Sequence, residues 1–366
     1  MKILVVAGAR PNFMKIAPIV RELRRRGESS GISWEIVHTG QHYDYAMSKV
    51  FFDELDLPEP DYFLEAGSGS HAEQAARVMV AFEKVCLESR PDMIVVVGDV
   101  NSTLACAVTA KKLNNIRVAH VEAGLRSRDM GMPEEINRIV TDALSDLLFV
   151  TEPSGRDNLL HEGKEEGKIR LVGNVMVDTL FQQLKRIPQL PAAEGLPEDG
   201  SYGVITLHRP SNVDDLETFR GILEALGKVS LELPLLYPIH PRARKRIEEF
   251  QLGAMVRESG IRLMPPLSYI NFLRLWKDAA LVLTDSGGLQ EETTALSVPC
   301  FTVRENTERP ITVDVGSNTL VGTSCEGILE AFSRFQAGQI KTGQVPDLWD
   351  GCAAERIVDA LGDALK

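Results

Sequence analysis

Along the whole chain, short apolar runs alternate with segments of helical period, and this alternation leaves few folds open. In the first half, Ile3–Ala7, Trp34–His38, Met93–Val97, Arg117–Val121, Leu147–Val150 and Ile169–Val172 read as strands. In the second half, Tyr202–Leu207, Leu235–Pro238, Ile261–Met264, Ala280–Leu283 and Cys300–Val303 do the same. Helical patterns fall between them, at Phe13–Arg26, Tyr45–Leu55, His71–Glu88, Thr103–Leu113 and Pro133–Leu144. In Phe13–Arg26, Ile16, Ile19, Val20 and Leu23 share one face. The strands are continuously apolar rather than apolar on every second residue. That is the pattern of parallel strands covered by helices on both faces. The expected class is α/β, with two Rossmann-like doubly wound domains and a ligand cleft between them.

With 366 residues, the chain exceeds one comfortable core. The stretch Ile187–Gly200 holds three prolines and two glycines with little periodicity. The expected domains are 1–172 and 173–351, followed by an amphipathic segment at 352–366. A net charge of −12 disfavours broad binding to nucleic acid or an anionic membrane. The five cysteines are scattered, without a CxxC pair, which suits reduced thiols in a cytoplasmic protein and no structural zinc. The first strand follows Lys2 directly and is too short for a signal peptide, and no apolar run reaches the ~18 residues that span a bilayer.

Polar residues cluster just after the strands, where doubly wound sheets bind ligands: Arg10, His42, Asp99, Glu122, His208, His240 and Ser286. Leu281–Glu292 is the most informative of these places. It reads as strand, tight turn and helix, with Ser286-Gly287-Gly288 at the helix start. Unpaired amides and the helix dipole there suit a phosphate, and Glu292 lies one turn further in, in reach of ribose hydroxyls. The plain alternative is a helix capped by Asp285 or Ser286, with Glu291 and Glu292 as surface acids matched to the dipole. The first strand's turn is not GxGxxG and no GxxxxGK[ST] occurs, so a dinucleotide dehydrogenase and a P-loop NTPase are both poor fits.

Asp99 and Glu122 end two strands expected to be neighbours, and Glu134 sits in a first helical turn, so three carboxylates are candidates for proton transfer. Each has a structural alternative: Asp99 as a cap, Glu122 as a turn residue, Glu134 and Glu135 as dipole-matched acids. Arg10, Lys15, His208, Arg209 and Arg309 supply cationic or donor groups. Lys15 also reads as a solvated lysine, His208 as a turn histidine, and Arg309 as a partner of Glu305 or Glu308. His120-x-Glu122 offers two metal-type ligands on one strand face, but no further ligand spacing supports a metal.

Several motifs together resemble one family. Gly8-Ala-Arg10-Pro11 with Lys15, Gly98-Asp99, His120-Val-Glu122-Ala-Gly-Leu-Arg126, Pro133-Glu134-Glu135-x-Asn137-Arg138, Ser286-Gly287-Gly288-x-x-x-Glu292 and Thr307-Glu308-Arg309-Pro310 are similar to the non-hydrolysing UDP-N-acetylglucosamine 2-epimerases. The resemblance covers almost the whole chain. It implies a glycosyltransferase-B-like fold whose C-terminal helix 352–366 returns to the first domain. It also implies a cytoplasmic homodimer serving polysaccharide biosynthesis, with a UDP-sugar substrate and no metal or nicotinamide cofactor. The implied reaction interconverts UDP-GlcNAc and UDP-ManNAc through elimination of UDP to 2-acetamidoglucal and re-addition. Asp99, Glu122, Glu134 and His208 would be catalytic, with the C2 base among them left open. Arg10, Lys15, Phe272, Ser286, Gly287, Gly288, Glu292 and Arg309 would bind substrate. Gln41, His42, Arg209 and His240 match part of an activating second UDP-GlcNAc site. Asp44 replaces a later glutamine of that site, and residues 61–76 lack its arginine. The segments His38–Met47 and Leu125–Asn137 also resemble the branch acting on UDP-2,3-diacetamido-2,3-dideoxyglucuronate. A B-type glycosyltransferase and a non-catalytic UDP-sugar binder share the expected fold.

Overall fold

The structure is a computed structural model describing residues 1–27, 31–40, 52, 54–113, 115–189, 201–339 and 341–364, with the backbone but not the side chain of Arg10. Gln41 and His42 lie outside the described residues, as do most of the expected 45–55 helix and of the 187–200 stretch. The chain forms two compact units, Met1–Thr179 with Asp347–Lys366, and Leu180–Pro346.

The first unit holds strands β1 (Lys2–Ala7), β2 (Ser33–His38), β3 (Tyr62–Phe63), β4 (Met93–Val97), β5 (Arg117–Val121), β6 (Leu147–Val150) and β7 (Ile169–Leu171). They form one parallel sheet in the order β3-β2-β1-β4-β5-β6-β7. Its helices are α1 (Arg10–Arg26), α2 (His71–Ser89), α3 (Asn101–Lys112), α4 (Pro133–Leu144) and α5 (Pro153–His161); the unit boundary falls inside α6 (Val175–Arg186). Every residue of β4 is buried, which is why its sequence is apolar without alternation. Leu4, Val6, Ile94, Val96 and Val118 pack with Val78 and Phe82 of α2 on one face of the sheet. Ser70 caps the start of α2. Ser70 Oγ accepts from the Glu73 amide, and Glu73 Oε2 accepts from the Ser70 amide at 3.0 Å.

The second unit repeats the plan with β8 (Gly203–Thr206), β9 (Leu235–Pro238), β10 (Arg262–Met264), β11 (Leu281–Thr284), β12 (Cys300–Thr302) and β13 (Asn318–Leu320), all parallel, in the order β10-β9-β8-β11-β12-β13. Its helices are α7 (Pro210–Val213), α8 (Leu216–Ser230), α9 (Pro241–Glu249), α10 (Gly253–Glu258), α11 (Tyr269–Trp276), α12 (Gly287–Ala295), α13 (Pro310–Asp314) and α14 (Cys325–Gln336). Phe219, Ile222 and Leu226 of α8 and Phe332 of α14 pack on Ile205, Tyr237, Leu283 and Phe301 of the sheet. Strands β3 and β13 are absent from the sequence reading. Both are edge strands of two or three residues without an apolar run, so pairing with β2 and β12 creates them rather than composition.

The chain ends in the first unit with α15 (Ala353–Asp363), whose Ile357, Val358 and Leu361 are buried and which packs along α1. Asp178 of α6 caps it, accepting from the Ala353 and Ala354 amides at 3.1 and 2.7 Å. Trp349, just before, is buried and donates from Nε1 to the Thr151 carbonyl at 3.1 Å. Burial pushes the Asp178 carboxyl up to about 6, and its two amide donors only partly offset this. An unfolded aspartate titrates near ~3.9. The folded state therefore holds this proton more tightly, so the contribution of Asp178 to stability is full at low pH and is lost as pH rises through 6. Urea midpoints at pH 5 and pH 8 should differ less in Asp178→Asn than in the wild type; an unchanged difference would refute this assignment.

Among the described residues, no helix is long and apolar enough to cross a membrane. In each sheet the strand order reverses once, between β1 and β4 and between β8 and β11, and the strand ends flanking those reversals are where such sheets bind ligands.

Candidate functional site

In the first unit, β1 ends in Gly8 and Ala9, whose amides both donate to Asn12 Oδ1 at 3.2 and 3.0 Å. Asn12 Nδ2 donates to the carbonyl of Val97, the last residue of β4, at 3.0 Å. One buried asparagine thus ties together the two strand ends at the reversal. A Cβ on Gly8 would lie 1.8 Å from Ser102 Oγ, so the start of α3 approaches β1 as closely as glycine permits.

Strands β4 and β5 are in-register neighbours, with Val97 opposite Val121. Asp99 and Glu122 therefore leave the same edge of the sheet side by side. Gly98 has φ +65°, and a Cβ there would lie 2.7 Å from Lys15 Nζ and 3.2 Å from Glu122 Oε2. Lys15, on the second turn of α1, forms a buried ion pair with Glu122. The solvated reading of Lys15 is thereby corrected: its partner, two strands away, is invisible in local sequence. Glu122 does sit in a turn, as its structural alternative held, and at φ +73° it is in a region costly for a side-chain-bearing residue. Its amide donates to the Phe149 carbonyl at 3.0 Å.

Asp99 is not a cap; the residue before α3 is Val100. Its carboxylate instead takes Nε of Arg138 at 3.0 Å, while Asn137 Nδ2 donates to its carbonyl at 2.8 Å. Arg138 also pairs with Glu135, and both are buried. Burial alone would raise Glu135, but amides of Ser127 and Arg128, at 3.0 and 2.8 Å, hold its carboxyl below the ordinary value. The two adjacent acids thus divide: Glu135 is spent on structure, and Glu134 stands exposed in the first turn of α4.

Fully buried His120 bridges two elements. Its Nε2 meets the Gly98 carbonyl at 2.8 Å and its Nδ1 meets Asp142 Oδ1 of α4 at 2.7 Å. Both ring nitrogens of the candidate metal ligand are therefore engaged by protein. Asp142 Oδ2 accepts from the Gly124 amide at 3.0 Å and lies 2.7 Å from Arg126 Nη2. Burial pushes the Asp142 carboxyl up, yet His120 and Arg126 outweigh it and hold it below the usual range. Glu162 clasps the far side of Arg126 through two bonds of 2.8 and 2.7 Å.

In the second unit, Asp285 follows β11 and is fully buried. It is not a helix cap: it accepts from the amides of His208 and Arg209, both at 2.9 Å, and its Oδ1 lies 2.8 Å from His208 Nδ1. Burial raises this carboxyl, and the His208 ring, with the two amides, brings it below the ordinary value. Asp285 thereby fastens the loop after β8 to the loop after β11. Ser286 precedes α12 with no side-chain cap bond, its amide held by Thr284 Oγ1 at 2.9 Å. The first-turn amides of α12 have no intrahelical acceptors by helix geometry.

Beside that helix start, Arg209, Arg304 and Arg309 surround buried Glu308. Arg304 Nη2 is 2.9 Å from Oε2, and Arg209 and Arg309 are 3.2 and 3.5 Å from Oε1. Arg309 also pairs with Glu291 at 2.8 Å. In these ion pairs three guanidiniums meet two carboxylates beside Gly287, where a Cβ would lie 3.3 Å from Glu308 Oε1. Burial would raise Glu308, but Arg309, Arg304 and Arg209 dominate and hold it far below the carboxylate range. Glu291 and Glu292 are both buried, so their reading as surface acids is corrected. Glu292 accepts from Tyr269 Oη at 2.6 Å.

The remaining predicted residues are more peripheral. Phe272 is half-buried on α11, Gly288 is half-buried in the first turn of α12, and His240 is exposed at the start of α9, its ring 5.7 Å from that of His208. Asn12, Asp142, Asp285, Arg304, Glu308 and Tyr269 were not singled out as site residues from sequence. From sequence Asp285 reads only as a cap and Glu308 only as a partner of Arg309, and the other four carry no local signal.

A family model described as UDP-N-acetylglucosamine 2-epimerase matches residues 24–362. The UDP-N-acetylglucosamine 2-epimerase of Methanocaldococcus jannaschii is 46% identical over 338 residues, 90% of this chain and 91% of that protein. The UDP-2,3-diacetamido-2,3-dideoxy-D-glucuronate 2-epimerase of Pseudomonas aeruginosa is 40% identical over 366 residues, 99% of each. A crystal structure of the M. jannaschii UDP-GlcNAc 2-epimerase in complex with UDP-GlcNAc and UDP aligns with TM-score 0.86 at 43% identity, covering 99% of each chain. The two all-parallel sheets are of the glycosyltransferase-B-like class.

Proposed function

Because the chain belongs to the UDP-N-acetylglucosamine 2-epimerase family, we propose that it interconverts UDP-GlcNAc and UDP-ManNAc by inverting C2 of the sugar. The observation that carries this reading is the pair of carboxylates, Asp99 and Glu122, just beyond the ends of neighbouring strands β4 and β5 and each paired with a cation, Arg138 and Lys15. C2–H has no neighbouring carbonyl and is a weak acid. Stretching the C1–O bond gives C1 oxocarbenium character and acidifies C2–H. A carboxylate then takes the proton, the C1–O electron pair leaves with UDP, and 2-acetamidoglucal forms. In the return step a UDP oxygen adds to C1 and a proton is delivered to the other face of C2.

Asp99, Glu122 and Glu134 are the proposed acids and bases. Lys15 pairs with Glu122, and Arg138 pairs with Asp99. In the second unit, Ser286, Gly287 and Gly288 cradle the diphosphate, Arg309 and His208 add positive and donor groups, Glu292 binds ribose and Phe272 contacts uracil. Arg10 is assigned to diphosphate or sugar on its motif alone. The proposal extends to a cytoplasmic homodimer; the free thiols of Cys86, Cys106, Cys300, Cys325 and Cys352 agree with a reducing compartment.

The relative acting on the diacetamido uronate, aligned end to end, supports a second reading of the substrate with the same chemistry. Incubation in D₂O separates the two. UDP-GlcNAc should acquire deuterium at C2 as UDP-ManNAc appears. If neither occurs and the diacetamido uronate is turned over, the second reading stands. UDP released in proportion to product would indicate transfer instead.

A further inference from the structure

We infer that His120 is held as an imidazolium and acts as the positioning residue that joins the Gly98–Asp99 turn to the Glu122–Gly124 turn. The inference rests on the C2-epimerase reading for what those turns deliver, and on bonding geometry for the rest. A carbonyl oxygen only accepts, so the 2.8 Å contact from Nε2 to Gly98 requires a proton on Nε2. Asp142, across the ring, already faces the Gly124 amide and the Arg126 guanidinium, two groups that only donate. Those donors favour a carboxylate at Asp142, and a carboxylate 2.7 Å from Nδ1 requires the second ring proton. His38 shows the opposite case: its Nδ1 accepts from the Gly40 amide at 2.8 Å and carries no proton.

The charged groups around His120 form a chain: imidazolium, Asp142, Arg126, Glu162. The Lys15–Glu122 pair lies beyond the Gly98 carbonyl, which His120 grips. Each bond fixes backbone next to a proposed acid. Gly98 precedes Asp99, and its φ of +65° sets the direction of that turn; Gly124 at φ +80° follows Glu122 by two residues and is held by Asp142. A Cβ on Gly124 would lie 2.2 Å from the Gly155 carbonyl, so this turn has no room to drift. His120 itself touches no substrate in this scheme. Its part is to keep two turns on adjacent strands at a constant separation.

Histidine-selective ¹⁵N labelling of the full-length wild-type protein tests the charge without any assay of turnover. The His120 ring should show protons on both nitrogens at pH 8, and a ring with a bare nitrogen at that pH overturns the inference. His120→Gln then tests the positioning role on whichever UDP-sugar the wild type turns over. The expected result is a fall in kcat of about 100-fold, with KM within about threefold and UDP affinity unchanged. A kcat within threefold of wild type overturns the role. Should His120→Gln fail to fold, Asp142→Asn provides the second arm: the His120 ring must lose its fixed second proton at pH 8, and a ring that stays doubly protonated counts against the inference. If the wild type turns over neither UDP-sugar, the function reading fails while the labelling result still decides the charge.

Discussion

Asp99→Asn is expected to lower turnover of the UDP-sugar at least ~100-fold, the usual scale for loss of an acid–base group, and to leave the fold intact. The substitution keeps the shape of the side chain. Asparagine still offers an oxygen to Arg138 Nε, now at 3.0 Å from Oδ2, and the Asn137 bond goes to the backbone carbonyl and is untouched. What disappears is the ability to hold and release a proton. Glu122→Gln should cost as much in rate, but it also strands Lys15, which is buried with it. Its loss of stability should be recovered in the Lys15→Met/Glu122→Gln double variant, whereas its loss of rate should not. Initial rates together with thermal melts make the comparison. Near-normal rates in both single variants would remove the two carboxylates from the mechanism.

Glu308→Gln is the second substitution expected to act strongly. It takes the central carboxylate from among Arg209, Arg304 and Arg309, and removing one partner from a buried ionic cluster typically costs ~3–5 kcal/mol. The three guanidiniums then repel each other beside the start of α12. If this cluster backs a diphosphate site, UDP supplies the missing negative charge, so saturating UDP should raise the melting temperature of Glu308→Gln more than that of the wild type. An equal or smaller shift in the variant would place the nucleotide elsewhere. Arg304, unremarkable in sequence, becomes a residue to test beside Arg309 for the same reason: it is buried and contacts the same carboxylate.

The alternation of apolar runs and helical segments made the doubly wound class legible, because strands buried on both faces have no polar alternation to confuse the reading. The turn at Ser286-Gly287-Gly288 was legible for a similar reason, since a strand, two glycines and a helix start are contiguous in the chain. The neighbouring strands behind Asp99 and Glu122 were also expected correctly. Edge strands β3 and β13 were not legible: a two- or three-residue strand exists by virtue of its neighbour. Lys15, Glu291 and Glu292 each had a plausible surface reading, and each is buried against a group 18 or more residues away in the chain.

The sequence by itself determined the periodicities and the contiguous turns, since these depend on residues within one or two helical turns of each other. It also determined the family, because motif spacing survives without coordinates. Only the tertiary structure decided which charges are paired. Whether Glu134 or Glu135 faces inward, whether Lys15 is solvated, and whether Asp285 caps its helix or clasps the loop of His208 all depend on groups brought together across the sheet. Partners distant in the chain carry no signature in the local pattern, and burial is what makes each pairing necessary.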